Sequence, residues 1–225
     1  MVINMKLDIR LRMVAGLVRP GKPLVDVGTD HAYLPAFLVE NGIISSAKAC
    51  DIKVGPLNNA KKTIESLCLE DKIEAILSDG LIAIPREETD FSIAGMGGEL
   101  IASILETSPW VKQKGNHFVL QPQSHPEDLR AFLFSNGYEI LNEDVVKDKR
   151  HLYLAMEVIY TGEIKEFTKA ETYVGKLTES KSIYKDEYIE YVIKRLETQY
   201  AANHRKELLE LIDKIKKLVI ESSNK

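Results

Sequence analysis

The sequence predicts an α/β fold, one mostly parallel sheet with helices on both faces, and three observations carry that expectation. Short apolar runs alternate with helix-spaced segments from the start, which requires crossover connections between parallel strands. Several of these runs end in an acid or a glycine, as do strands that face a ligand across the carboxyl edge of such a sheet. After Asn136-Gly137 the alternation gives way to two consecutive strand-like runs, an antiparallel hairpin at the end of the sheet.

Taken in order, Leu7, Leu11, Val14, Ala15 and Val18 recur at helical spacing and give an N-terminal helix that stops at Pro20-Gly21. Strand-like runs follow at about 24–28, 46–52, 73–77, 90–94 and 117–121. Helix-like segments at about 32–41, 56–67, 98–107 and 126–136 lie between or after them. Tyr138–Val146 and His151–Tyr160 form the hairpin, joined by Lys147-Asp148-Lys149-Arg150. Seven strands closing on a reversed hairpin are the usual Rossmann-like class I methyltransferase arrangement rather than the dinucleotide-binding one. Thr161-Gly162 marks an expected boundary between a sheet domain, 1–161, and a helical domain, 162–225. Beyond it Gly175 is the only glycine and there is no proline. One apolar stripe joins Ile189, Val192, Ile193, Leu196 and Tyr200, and a second joins Leu208, Leu211, Ile212, Ile215, Leu218 and Val219. Two amphipathic helices turning near Ala201–His204 would pack as a coiled-coil-like hairpin.

Composition narrows the function classes. The 225 residues are 44% hydrophobic and 28% charged, the balance of an ordinary globular protein. No apolar run reaches about 18 residues, so no membrane-spanning helix is expected. Met1–Pro20 mixes Lys6, Arg10, Arg12 and Arg19 with apolar residues and does not read as a signal peptide, so the cytoplasm is the expected location. Only Cys50 and Cys68 occur, with no C-x-x-C, which disfavours both a disulfide framework and a zinc site. The histidines His31, His117, His125, His151 and His204 lack ligand spacing, and no metal is expected. Absence of G-x-S-x-G disfavours a serine hydrolase. The net charge of −4 is unevenly spread, with 17 basic against 22 acidic residues in 1–161 and 13 against 12 in 162–225. This is not the strongly basic footprint usual for nucleic-acid binders.

The candidate site residues stand at the expected strand ends. Asp26 and Gly28 close the first strand, where glycine permits close backbone approach and the acid can accept hydrogen bonds from loop amides or a ligand ammonium. Asp30 and His31 follow, the imidazole able to pack on a ligand or serve only structure. Asp51 closes the second strand, placed to accept both hydroxyls of a ribose. Ser78-Asp79-Gly80 closes the third, where an acid can take an exocyclic amine. Ala94-Gly95-Met96-Gly97-Gly98 follows the fourth, where three glycines around one methionine would let backbone groups approach a flat substrate. Gln121-Pro122-Gln123 ends the fifth on the same edge. Each of these also has a plainer reading as a turn or helix cap.

Together the motifs D-x-G-[ST]-D-H-A-Y-L-P at Asp26–Pro35, Gly55-Pro56, Asp79-Gly80-Leu81, Ile93–Gly98, Leu120-Gln121-Pro122, Leu129-Arg130 and Asn136-Gly137-Tyr138 closely resemble the bacterial tRNA (adenine-22-N1)-methyltransferase family over about residues 6–160. The resemblance implies methyl transfer from S-adenosyl-L-methionine to N1 of an adenine in the tRNA D-loop region. It implies Gly28, Asp30 and His31 at the methionine part of the cofactor, Asp51 at the ribose, and Ser78, Asp79 and Gly80 at the adenine. Gly95, Met96 and Gly97 would form the floor where base meets methyl donor. The family pattern often has glutamate where Asp51 stands and asparagine where Gln123 stands.

Adenine N1 carries a free lone pair, so such a transfer needs positioning more than a base. Asp30 and the carbonyls of Ala94-Gly95 are the candidates for stabilising charge on the methylated ring, with Asp30, Gly95 and Met96 as the catalytic set. Lys6, Arg10, Arg12, Lys194, Arg195, Arg205 and Lys206 could meet phosphates. tRNA is thus the expected partner, with a monomer favoured. The competing readings are a methyltransferase for another RNA position or a small molecule, and a non-catalytic cofactor-binding module.

Overall fold

The computed structural model describes residues 6–223, so the first five residues of the N-terminal stretch lie outside it. Helix α1 (Ile9–Leu17) starts where the Asp8 carboxylate accepts a 2.7 Å hydrogen bond from the Leu11 amide, and it ends before Pro20. Strands β1 (Leu24–Val27), β2 (Ala47–Asp51) and β3 (Ile73–Leu77) alternate with α2 (Tyr33–Glu40) and α3 (Val54–Ser66). Then come β4 (Asp90–Gly97), α4 (Gly98–Glu106), β5 (His117–Ser124), α5 (Pro126–Ser135), β6 (Tyr138–Asp148) and β7 (His151–Tyr160). The seven strands pair in the order β3-β2-β1-β4-β5-β7-β6. β1 to β5 are parallel, and β7 runs antiparallel to both β5 and β6.

This order positions the site. From β1 the chain steps outward to β2 and β3, then returns to place β4 on the other side of β1. The two crossovers diverge there and leave a crevice at the carboxyl ends of β1 and β4. β1 is buried along its whole length, which a strand covered on both faces requires. One apolar cluster joins Val14, Leu34, Leu38 and Ile64 to Val119. The other joins Phe91, Ile101, Leu105 and Leu129 to the C-terminal residues Leu196, Leu211 and Ile215.

Two features lay beyond the sequence pattern. β4 continues past Ala94 to Gly97 because its pairing with β5 slips around Gly95, whose φ of +79° suits glycine. A one-turn helix, α6 (Lys169–Val174), precedes the long helices α7 (Lys185–Asn203) and α8 (Lys206–Ser223). It is held by a capping box in which Thr168 and Glu171 satisfy each other's backbone amides. The turn between the long helices is made at His204, in the left-handed region at φ 54°.

The C-terminal segment is joined to the sheet by a buried ion pair. Arg130 of α5 donates from Nε to Glu143 Oε1 at 2.7 Å, and from Nη1 to the carbonyls of Thr172 and Tyr173. The Lys176 amide donates to Glu143 Oε2 at 2.6 Å. Gly175 passes so close that a Cβ there would lie 2.3 Å from Glu143 Oε2 and 2.4 Å from Arg130 Nε.

Candidate functional site

The loops leaving β1, β2, β3 and β4 converge on one cleft of about 340 Å³ at the crevice. After β1 the chain folds back on β2, with the Gly28 and Thr29 amides donating to the Cys50 carbonyl at 2.8 and 2.9 Å. Gly28 at φ +73°, Asp30 at 52° and Ala32 at 54° make this turn tight. A Cβ on Gly28 would come within 2.2 Å of Met96 Cε, so the methionine of β4 lies directly over the first loop.

Nine of the expected site residues line this cleft: Gly28, Asp30, Asp51, Ser78, Asp79, Gly80, Ala94, Gly95 and Met96. Asp51 is buried, and each of its oxygens already accepts one backbone amide, Oδ1 from Lys53 at 2.9 Å and Oδ2 from Asp30 at 3.4 Å. The second lone pair of each oxygen remains for a ligand. Ser78 directs its hydroxyl to the Gly80 carbonyl at 2.9 Å and accepts the Ala83 amide, which fixes the turn that presents exposed Asp79. Three expected residues do not line the cleft. Asp26 is buried, bonded to the Ser92 hydroxyl at 2.6 Å. His31 stacks on Tyr33 with centroids 4.9 Å apart, its Nε2 3.8 Å from Asp30 Oδ2. Gly97 caps α4.

Against known proteins, residues 7–156 match the methyltransferase domain family model. The chain is 36% identical over 151 residues to the tRNA (adenine(22)-N(1))-methyltransferase of Bacillus subtilis, covering 67% of this chain and 63% of that relative, less than two thirds of its length. A crystal structure of a Streptococcus pneumoniae protein provisionally assigned as a tRNA (m1A22) methyltransferase superposes with a TM-score of 0.82 at 32% identity, covering 96% of this chain and 99% of that one. The chain belongs to the tRNA (adenine(22)-N1)-methyltransferase family. M. capricolum TrmK in complex with S-adenosyl-homocysteine matches with a TM-score of 0.78 at 29% identity, over 95% of this chain and 97% of that one.

S-adenosylmethionine is the methyl donor of this methyltransferase family, and the cleft fits it. It combines a glycine turn at positive φ with Met96 Cε lying against it, a buried carboxylate with free lone pairs and an exposed acid at the next strand end. No helix among the described residues is long and apolar enough to cross a membrane. Glu99, His125 and Asp128 bring ligand atoms within 4.8 Å of one another, but all three are exposed and sit at the N-terminal ends of α4 and α5, where helix dipoles disfavour a cation.

At the end of β5 the sequence leaves Gln121 free either to orient a base or to satisfy loop backbone, and the structure shows the second role, extended to three elements. Gln121 of β5 is fully buried, and its Oε1 accepts from Arg10 Nη1 at 3.1 Å, the Gly95 amide at 3.1 Å and Gln123 Nε2 at 3.2 Å. It ties α1, the β4 slip and the end of β5 together behind Met96. Arg10 is therefore turned into the site rather than displayed for phosphate. Its spacing, three residues after Leu7 and four before Val14, was the available signal. Arg195 is likewise engaged internally, by Glu127 at 2.7 Å.

Burial pushes the Asp26 carboxyl above the usual carboxylate range, opposed mainly by the Ser92 hydroxyl. A raised folded value means the folded state holds this proton more tightly than the unfolded chain does. The stability it contributes is full below the unfolded value of about 3.9 and is lost as pH rises through the folded value. Asp26→Asn keeps an acceptor for Ser92 and removes the ionisation. Thermal melts across pH should find this variant more stable than wild type near neutrality, with the advantage vanishing in acid. A difference independent of pH would contradict the ionisation argument.

Proposed function

We propose that this chain transfers a methyl group from S-adenosylmethionine to N1 of an adenine in tRNA, at position 22 in the D-loop region. The observation that carries the reading is the convergence of the Gly28 turn, Asp51 and Asp79 on one cleft whose wall is the slipped Gly95-Met96 segment. The identity to the Bacillus subtilis tRNA (adenine(22)-N(1))-methyltransferase supports the choice of base and position.

Bound S-adenosylmethionine supplies an electrophilic methyl carbon. Asp51 accepts the ribose hydroxyls on the free lone pairs of its two oxygens, and Asp79 accepts the adenine amine of the cofactor. Gly28 and Asp30 border the methionine end, with His31 placed to keep the Asp30 loop in position. Asp26 holds β1 against β4 beneath it. Ser78 and Gly80 shape the Asp79 turn, while Ala94, Gly95, Met96 and Gly97 form the floor for the target base. No residue needs to remove a proton, because adenine N1 is unprotonated. The Asp30 carboxylate and the carbonyls of Ala94 and Gly95 stabilise the positive charge that methylation leaves on the ring. The sheet domain, 1–161, carries this chemistry, and the helical segment 162–225 extends it in a cytoplasmic monomer.

The test is methyl transfer from labelled S-adenosylmethionine to bulk bacterial tRNA, followed by nucleoside analysis and mapping. N1-methyladenosine at position 22 is the expected product. Label at another nucleoside moves the chain to a different RNA substrate. Cofactor binding with no label in any RNA turns the reading to a small-molecule methyltransferase or a non-catalytic module.

A further inference from the structure

A second cavity of about 360 Å³ lies on the same carboxyl edge, built from the end of β5, the β6–β7 turn and α7. β6 runs parallel to β5, so the turn that follows it, with Lys149 and Arg150, emerges on the edge that carries the first cleft. Pro122 is a wall residue of this second cavity and is the β5 partner of Met96. The two cavities thus meet at one residue pair, with Met96 lining the first and Pro122 the second.

Its lining is unlike that of the cofactor cleft. Tyr153, which also packs against the core, and Tyr191 line it, His151 lies 6.4 Å from Tyr153 between ring centroids, and Arg150 and Gln123 add polar side chains. Tyr191 is 52% exposed, although its neighbours Tyr188, Ile189 and Val192 on α7 are buried. Among the described residues Arg150 has no ion pair, whereas nearby Lys147 is neutralised by Glu187. Gln123 reaches from this cavity to Gln121, and Gln121 holds the Gly95 amide. Two aromatic rings, an unpaired guanidinium and a side-chain amide are the groups that take a base by stacking, a phosphate by charge and a base edge by hydrogen bonds. The volume lies within the range of roughly 300–1,000 Å³ for pockets that enclose a small organic ligand.

We propose that this cavity receives the target nucleotide, its base stacked on Tyr153 and Tyr191 and its phosphate held by Arg150. The proposal rests on the RNA methyltransferase reading above and assigns the substrate side of that site. An unstacked adenine here lies next to Met96, and Gln123 links its arrival to the Gln121 group that holds the methyl-transfer floor.

The experiment uses the full chain with an unmodified tRNA transcript. Wild type is compared with Tyr191→Ala, Arg150→Ala and Tyr153→Leu, the last keeping apolar volume on a half-buried strand. Loss of a stacking ring should lower kcat/KM for tRNA by about tenfold or more. Affinity for S-adenosylhomocysteine, measured by calorimetry, should stay within about twofold, which a general loss of structure would not allow. A transcript with 2-aminopurine at the target position should be quenched on wild type and brighter on the tyrosine variants. Equal kcat/KM and equal fluorescence in wild type and variants overturn the pocket alone. A wild type that forms no N1-methyladenosine overturns the methyltransferase reading on which it rests.

Discussion

Glu143→Ala should destabilise the protein by about 3–5 kcal/mol, the usual cost of removing one partner from a buried ion pair. At this size that lowers the melting temperature by roughly 6–20 °C. The magnitude follows from what the substitution leaves behind. Arg130 is fully buried, and its Nη2 has no hydrogen-bond partner even with Glu143 present. Without the carboxylate, its Nε loses its partner as well, and so does the Lys176 amide. The paired replacement Arg130→Met with Glu143→Leu should recover part of the loss, because an apolar pair leaves no isolated charge. The Thr172 and Tyr173 carbonyls and the Lys176 amide still lack their partners in it. Calorimetric melts of the single and double variants decide it. A single variant melting with wild type would show that the pair contributes little beyond filling space.

Asp51→Ala should weaken S-adenosylhomocysteine binding by about 100-fold. Two hydrogen bonds to a carboxylate, each worth roughly 1.5 kcal/mol at the low end, together correspond to that factor. The same side chain anchors the Lys53 and Asp30 amides, so some of the loss comes through the loops. Asp51→Asn separates the two effects. It retains one acceptor but turns the other oxygen into a donor, and about tenfold weakening is expected. Asp79→Ala should cost less than Asp51→Ala, since the Asp79 carboxylate is exposed and water competes for it. Calorimetry reads all three variants. Unchanged affinity in a folded Asp51→Ala protein would falsify the ribose assignment.

The parts of the site that were legible share one property: each lies within a single strand end. Asp51 and Asp79 could be placed because an apolar run stops beside them, and parallel strands must bring such ends to one edge. Gln121 could be placed at its strand end, but its partners could not, because they lie on β4 and α1, 26 and 111 residues away. The second cavity is built from Pro122, Arg150 and Tyr191, whose meeting depends on how α7 packs. The slip at Gly95 was hidden for a different reason. Glycines mark places where the backbone is free to deviate, and only the pairing with β5 decides whether the strand stops or continues. The short helix α6 did carry its Thr168-x-x-Glu171 signature, but a single turn has no apolar period to accompany it.

The clasp around Arg130 and Glu143 also bears on modularity. Thr172, Tyr173 and Lys176 supply backbone partners to two charges that belong to α5 and β6. A chain cut after Thr161 would leave those charges open on one side, and a foreign appendage would have to reproduce the same carbonyls and amide in the same places. The helices are therefore not an interchangeable cassette. Sequence change in them is confined to their outward faces, while the first turn after the sheet stays fixed.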